Sequence, residues 1–378
     1  MNPLSLSKNG KLNITSKIKL TSKNISSIYT PGIADVVAEI TKDRSKVYDL
    51  TWKGRTVAIV SDGSAILGLG NRGPEAALPV MEAKAVLFRE LGGINAIPLV
   101  IDTQNENEII KFVKMISPGF GGINLEDISA PRCFTIEEKL KKSLNIPVFH
   151  DDQHGTAIVV LAGLLNAAKV VRKNLKKCSV VISGAGAAGI AITSLLLRYG
   201  LNNIVVFDSR GPLYERRKAQ MNFAKKKIAS HTNLKNFRGT LHEALKGTDI
   251  FIGVSAPNII GSSDVKQMSR KPIVFALANP CPEIMSGEAK KGGAAVIATG
   301  RSDLGNQINN ALVFPGIFKG ALLSRTVLIT DEIKIKAAQA LSAIVKNPAP
   351  ARIIPGVMDK RAVNVMANIF KRPHAKPR

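Results

Sequence analysis

The stretch Val180-Val181-Ile182-Ser183-Gly184-Ala185-Gly186-Ala187-Ala188-Gly189-Ile190 decides the fold. A short apolar strand runs into G-x-G-x-x-G and then into a helix, the context that gives this motif weight. Gly184 permits the tight turn, Gly186 lets a pyrophosphate approach the backbone, and Gly189 lets helix and strand pack closely. Ala185, Ala187 and Ala188 complete the loop, and the helix N-terminus offers free N–H groups and a positive dipole to phosphates. Nineteen residues after Gly189, Asp208 ends the next strand. A carboxylate there can bind a ribose 2′-OH, which favours NAD, but Ser209–Arg210 follow at once and an arginine can hold a 2′-phosphate. The implied cofactor is NAD or NADP.

Outward from this stretch the pattern is regular. Ser179–Ser183, Asn203–Phe207, Ile250–Val254, Pro272–Leu277 and Ala294–Ala298 read as short apolar strands, mostly separated by helical stretches. That is an α/β chain with a Rossmann-type, doubly wound parallel sheet. Helices after Asn306 and Thr330 close it. The N-terminal half reads as a second α/β unit. It has weak strand signals at Leu12–Thr15 and Ile18–Leu20 and a helix after Thr30–Pro31–Gly32. Strands at Thr56–Ser61 and Ala65–Leu69 flank a hairpin-type turn at Asp62–Gly63. A long helix over Pro74–Leu91, a strand at Ile97–Ile101 and a helix over Glu106–Ile116 follow. Then come a strand at Gly122–Leu125, a helix over Ile136–Ser143, a strand at Pro147–His150 and an apolar helix over Gly155–Val171. Two domains are expected for 378 residues, 1–160 and 161–378, joined within or just after that helix.

The chain carries 53 Lys and Arg against 28 Asp and Glu, a net charge of +25. Such a field attracts nucleic acid, acidic membrane or small anions. The basic residues are dispersed, and their clusters lack interleaved aromatics, so nucleic acid is not the expected partner. No apolar run suggests a membrane span, and the polar N-terminus has no signal core. Cys133, Cys178 and Cys281 form no CxxC pair, which fits a reduced cytoplasmic setting. The tail KRPHAKPR reads as frayed.

Two acidic doublets stand out. Gly122–Leu125 ends in Glu126–Asp127 and Pro147–His150 ends in Asp151–Asp152, with a helix between. In a βαβ unit both doublets lie at carboxyl ends of parallel strands, roughly 5 Å apart if the strands are neighbours. Carboxylates that close repel unless a cation lies between them, and all-oxygen ligation suits Mg2+ or Mn2+. Lys84 lies in the apolar helix PEAALPVMEAKAVLFREL, where burial lowers proton affinity and suits a general base. Tyr29 precedes Thr30–Pro31–Gly32 in a chain of four tyrosines.

IYTPGIA, LGLGNRGPEAALPVMEAKAVLF, GGINLEDISAP, PVFHDDQHGTAIV, ISGAGAAGIA, FALANPCPEI and ATGRSDLGNQINNALVFPGIFKGAL together resemble the short prokaryotic malic enzymes. The blocks run in order over nearly the whole chain. The resemblance implies oxidation of L-malate by NAD(P)+ and its decarboxylation to pyruvate and CO2, dependent on a divalent metal. It implies Lys84 as general base and Tyr29 as the acid that protonates enolpyruvate. Glu126, Asp127 and Asp152 would be metal ligands, with Asp151 tuning Lys84. Asn279 and Asn310 would contact substrate, and Val254–Ser255–Ala256 would line the cofactor site with Asn279. It also implies a homodimer or higher homo-oligomer. The chain departs from the family at Leu304–Gly305, Cys281, Arg72 and Asp62–Gly63–Ser64–Ala65. The alternatives are a non-oxidative malate or oxaloacetate decarboxylase on the same fold and a non-catalytic basic nucleic-acid-binding protein.

Overall fold

The computed structural model describes residues 2–303 and 305–370; Leu304 and the tail 371–378 lie outside the described residues. Two sheets are present. The first has four parallel strands, β1 (Thr56–Ser61), β2 (Asn95–Val100), β3 (Gly122–Leu125) and β4 (Val148–His150), in the order β2-β1-β3-β4. The second has β5 (Val180–Ser183), β6 (Ile204–Asp208), β7 (Gly211–Pro212), β8 (Ile250–Gly253), β9 (Ile273–Ala276) and β10 (Val296–Thr299). Their order is β10-β9-β8-β5-β6-β7, and only the two-residue β7 is antiparallel. Strands β1, β3, β4, β5, β8 and β9 are buried at every position, as parallel strands covered on both faces require.

The helices that matter to the site are α1 (Ile33–Lys42), α2 (Pro74–Leu87), α3 (Glu106–Ile116), α4 (Arg132–Ser143), α5 (Asp151–Val171) and α6 (Ala187–Tyr199). Helices α7 (Phe314–Ser324), α8 (Asp331–Ala343) and α9 (Arg361–Asn368) close the described chain. By length and composition α5 resembles a membrane span, but most of it is buried inside the protein, as a core helix. It packs on α6 and α8, and one hydrophobic cluster runs from Val57 and Met81 through α5 to Ile182, Phe275 and Phe314.

Four readings are corrected. Ala65–Leu69 is no hairpin strand: β1 pairs in parallel with β2 and β3, and Ile66–Gly68 is a single helical turn, with Leu67 and Gly68 at positive φ. Gly63 also has φ +66, and a Cβ there would meet Gly73 O at 2.0 Å, so the chain turns back on itself rather than pairing. Leu12–Thr15 and Ile18–Leu20 lie outside any strand, because no neighbouring strand accepts their backbone groups. The helix beginning at Pro74 stops at Leu87 and passes through a wider turn at Phe88–Gly92, where Gly93 takes a left-handed conformation. Helix α9, amphipathic and packed on α7, was not distinguished in the sequence.

Candidate active site

The parallel pairing Leu125↔His150 brings Glu126–Asp127 and Asp151–Asp152 out on one edge of the first sheet. Asp127 bends back at φ +52, and its N–H donates to Asp152 Oδ2 at 2.9 Å, so the two doublets touch. Asp151 and Asp152 occupy the first turn of α5, where the helix dipole favours negative charge. Gly155 sits beneath: a Cβ there would fall 1.9 Å from Asp151 Oδ1, so only glycine leaves room for the carboxylate.

Helix α2 delivers Lys84 from the opposite side. Ala77, Met81, Lys84 and Ala85 form its buried face. The Lys84 ammonium lies 2.5 Å from Glu126 Oε1, 2.5 Å from Asp151 Oδ2 and 4.3 Å above the Phe314 ring. Burial alone would lower its proton affinity, as the apolar helix suggested, but Asp151, Glu126 and Asp152 outweigh burial and hold it firmly protonated. The expectation of a weakened lysine is therefore corrected for the arrangement seen here: its partners, not its helix, set its charge.

The carboxyls show the reverse. Burial first, then Asp152 and Glu126, push Asp127 up to about 9. Burial, with Glu126 against Lys84, pushes Asp151 up to about 8. Glu126 and Asp152 are also raised, mainly by burial. Four acids and one lysine thus share a buried site that cannot hold all the charges ionised. Asp127 Oδ2 and Asp151 Oδ1 are buried without any hydrogen-bond partner. Spare oxygens and excess negative charge fit a hard divalent cation. Among the described residues no three acidic, His or Cys side chains yet converge on one point at ligand distance. Lys84 lies between Glu126 and Asp151 instead.

A cavity of about 440 Å³ opens here. Its wall includes Lys84, Glu126, Asp127, Asp152, Asn279 and Asn310, together with Ala188 of the glycine-rich loop and Val254 after β8. The loop has the expected form. Gly184 has φ +114, a Cβ on Gly189 would lie 1.8 Å from Gly184 O, and the space beside Gly186 is open. Helix α6 begins at Ala187, with Gly186 as its N-cap and no side chain capping its first N–H groups. Asp151 lies behind Lys84, fully buried, rather than on the wall.

Ser255 and Ala256 are exposed just beyond Val254, in the turn after β8. Tyr29 stands apart: it is 70% exposed and does not line the cavity. Asp208 ends β6, but its carboxylate is engaged by Arg217 and Lys225.

Three supporting residues escaped the sequence reading. Glu283, fully buried, accepts from Ser255 N at 2.7 Å and Ala278 N at 3.1 Å, clamping the turn after β8 to the Asn279 loop. The quoted CPEI motif contained it, but nothing in the motif shows where it points. Glu137 accepts from His150 N at 2.9 Å and contacts His154 at 2.8 Å, bracing the turn that carries Asp151–Asp152. Asn124 donates to Glu126 Oε2 at 2.9 Å.

The chain matches the family descriptions "Malic enzyme, N-terminal domain" over residues 7–111 and 103–141 and "Malic enzyme, NAD binding domain" over residues 153–372. It is 50% identical to the bifunctional malic/malolactic enzyme of Bacillus subtilis (strain 168), over 95% of this chain and 88% of that one. It is 52% identical to the NAD-dependent malic enzyme of Geobacillus stearothermophilus, over 94% of this chain and 74% of that one. The crystal structure of NAD-dependent malic enzyme from Thermotoga maritima superposes with a TM-score of 0.95 at 45% identity, covering 98% of this chain and 99% of that one.

Proposed function

Because the chain belongs to the malic enzyme family, we propose that it oxidises L-malate with NAD(P)+ and releases pyruvate and CO2. The observation that carries this reading is the single cavity on which Lys84, three carboxylates and the glycine-rich loop all open. This shared cavity supports Lys84 as general base, the carboxylates as cation ligands and the loop as the seat of the hydride acceptor.

Glu126, Asp127 and Asp152 would hold Mg2+ or Mn2+. When bound, such an ion supplies Lewis acidity at the substrate's hydroxyl and adjacent carboxylate. Its charge would also offset the carboxylates that now keep Lys84 protonated, leaving the lysine able to act as a base. Lys84 takes the hydroxyl proton of malate as the C2 hydride passes to the nicotinamide. Asp151 keeps the lysine aimed. The C3–C4 bond of the resulting oxaloacetate then breaks, CO2 departs, and the electron pair remains as the enolate of pyruvate. Tyr29 gives a proton to C3 and yields pyruvate. Asn279 and Asn310 orient the substrate's carboxylates, and among the described residues no arginine lines this cavity.

Tyr29 lies on an N-terminal segment with exposed apolar side chains, among them Leu4, Ile14, Leu20 and Val37. Helix α1 is amphipathic and buries no residue. Exposed apolar side chains gathered on one segment mark a surface that association covers. We therefore place a second copy on this face, in a homodimer in which Tyr29 completes the partner's cavity.

An initial-rate assay with malate, NAD or NADP, and Mn2+ tests the reaction. Dinucleotide-linked absorbance with stoichiometric pyruvate supports it. Decarboxylation with lactate as product and no net reduced dinucleotide would replace it by the non-oxidative reaction.

A further inference from the structure

Asp208 stands where a dinucleotide-binding sheet presents its ribose-binding acid, at the end of the strand after the glycine-rich loop. Its carboxylate is already full. Oδ1 accepts from Arg210 N at 2.9 Å and from Arg217 Nη2 at 2.8 Å. Oδ2 accepts from Arg217 Nη2 at 2.9 Å and from Lys225 Nζ at 2.7 Å. A carboxylate has about four lone-pair sites, and four contacts occupy them. The side chain is 6% exposed. Arg217 is itself fixed, with Nη1 donating to Gly211 O and Pro212 O. A ribose 2′-OH would have to displace one of these donors to reach the acid. A 2′-phosphate would meet an acid already neutralised by two cations.

The surroundings complete the case. A cavity of about 470 Å³ adjoins the end of β6; Arg210, Arg216, Arg217, Lys218 and Arg238 line it, and no acidic side chain does among the described residues. Arg238 is held in place, its guanidinium 4.7 Å above the Tyr214 ring. The Arg210 side chain is exposed and makes no hydrogen bond or ion pair among the described residues, so its five donors are available. Planar guanidinium groups recognise phosphate in two-pronged fashion.

We infer that this pocket is built for a 2′-phosphorylated ribose, so that the chain uses NADP in preference to NAD, with Arg210 as the residue that grips the phosphate and Asp208 as a brace for the loop. The inference rests on the dinucleotide reading above and names which dinucleotide. It separates this chain from the NAD-dependent relatives described above.

Binding, measured without malate or metal, tests it. In calorimetry, 2′,5′-ADP binds at least about tenfold more tightly than 5′-AMP, and NADPH at least about tenfold more tightly than NADH, as a charge-assisted contact implies. Arg210→Ala removes most of that advantage and leaves NADH affinity within about twofold. Arg210 is exposed, so this variant keeps its fold. Asp208→Asn weakens NADH and NADPH together, as the loss of a loop brace would. Equal affinity for 2′,5′-ADP and 3′,5′-ADP would expose a general polycation effect and overturn the inference. So would tighter binding of NADH than NADPH, or a selective loss of NADH in Asp208→Asn. Tight 2′,5′-ADP binding without malate turnover would keep this inference and overturn the reaction, so the two fail separately.

Discussion

Lys84→Ala separates the roles of charge and base at the site. The substitution removes an ammonium that touches Glu126 and Asp151 at 2.5 Å each, and leaves Glu126, Asp127, Asp151 and Asp152 with no cation among them. Two effects follow. Breaking a buried ion pair typically costs about 3–5 kcal/mol, because an unpaired charge remains. Here the cost is reduced near pH 7, because burial pushes Asp127 and Asp151 up to about 9 and about 8, and a carboxyl so raised takes a proton rather than remain an unpaired charge. We expect a metal-free variant that folds, with a Tm below that of the native protein. Mn2+ should raise the variant's Tm by more than it raises the native Tm, since no ammonium then competes with the ion for the carboxylates. The catalytic effect is separate and larger. Loss of a general base lowers kcat on the order of 100- to 10,000-fold. Dinucleotide affinity should change little, since Lys84 touches no part of the glycine-rich loop. Turnover at saturating Mn2+, NAD(P)H binding by fluorescence and Tm with and without Mn2+ make up the assay. A kcat within about threefold of native, on the scale set by general-base loss, would show that Lys84 only neutralises its neighbours.

Other outcomes follow from the same geometry. Chelation should abolish malate turnover and Mg2+ or Mn2+ should restore it; full activity in excess chelator would remove Glu126, Asp127 and Asp152 from the reaction. Tyr29→Phe should lower turnover by roughly 100-fold or more while oxaloacetate reduction by NAD(P)H survives. Loss of that reduction with normal enolpyruvate tautomerisation would move Tyr29 to the hydride step. Glu283→Ala frees Ser255 and the Asn279 loop, so KM for the dinucleotide should rise well before Tm collapses; an unchanged KM would make the clamp purely structural. Burial would raise Glu137, but His154 and Lys141 outweigh it and hold the carboxyl well below its ordinary value of 4.5. Its stabilisation is therefore fully present above about pH 4.5 and lost as pH falls below that value. Glu137→Gln should flatten this acid limb in a pH series of urea midpoints, and an unchanged limb would place the sensitivity elsewhere.

The glycine-rich loop, the succession of short apolar strands and the edge carrying both acidic doublets were legible because each follows from a chain-local pattern. Lys84 was legible as buried from its helix, yet its charge state was not, since that depends on Asp151 and Glu126, 67 and 42 residues away. Asp208 taught the same lesson in reverse. Its position suggested a ribose acid, whereas Arg217 and Lys225, which fill its lone pairs, are brought to it by the hairpin and helix that follow. Ala65–Leu69 misled because an apolar run beside Asp-Gly reads as half a hairpin. Only the positive φ angles at Gly63, Leu67 and Gly68 show a loop folded over the cavity instead. Glu283 and Glu137 were invisible for a simpler reason: a buried acid that braces backbone N–H groups looks, in one dimension, like any other.

Helix α5 joins the two sheets without a break, with the site's carboxylates at its first turn and its far end packed in the nucleotide half. Such a connection works as a shaft rather than a hinge. Any rocking of the nucleotide half that reaches Gly163, where a Cβ would strike Ile308 at 2.8 Å, must also translate Asp151 and Asp152. Chimeras that exchange nucleotide halves should therefore be spliced before residue 151, carrying the whole helix with its donor; a cut inside it would leave the carboxylates on a shaft seated in a foreign bearing.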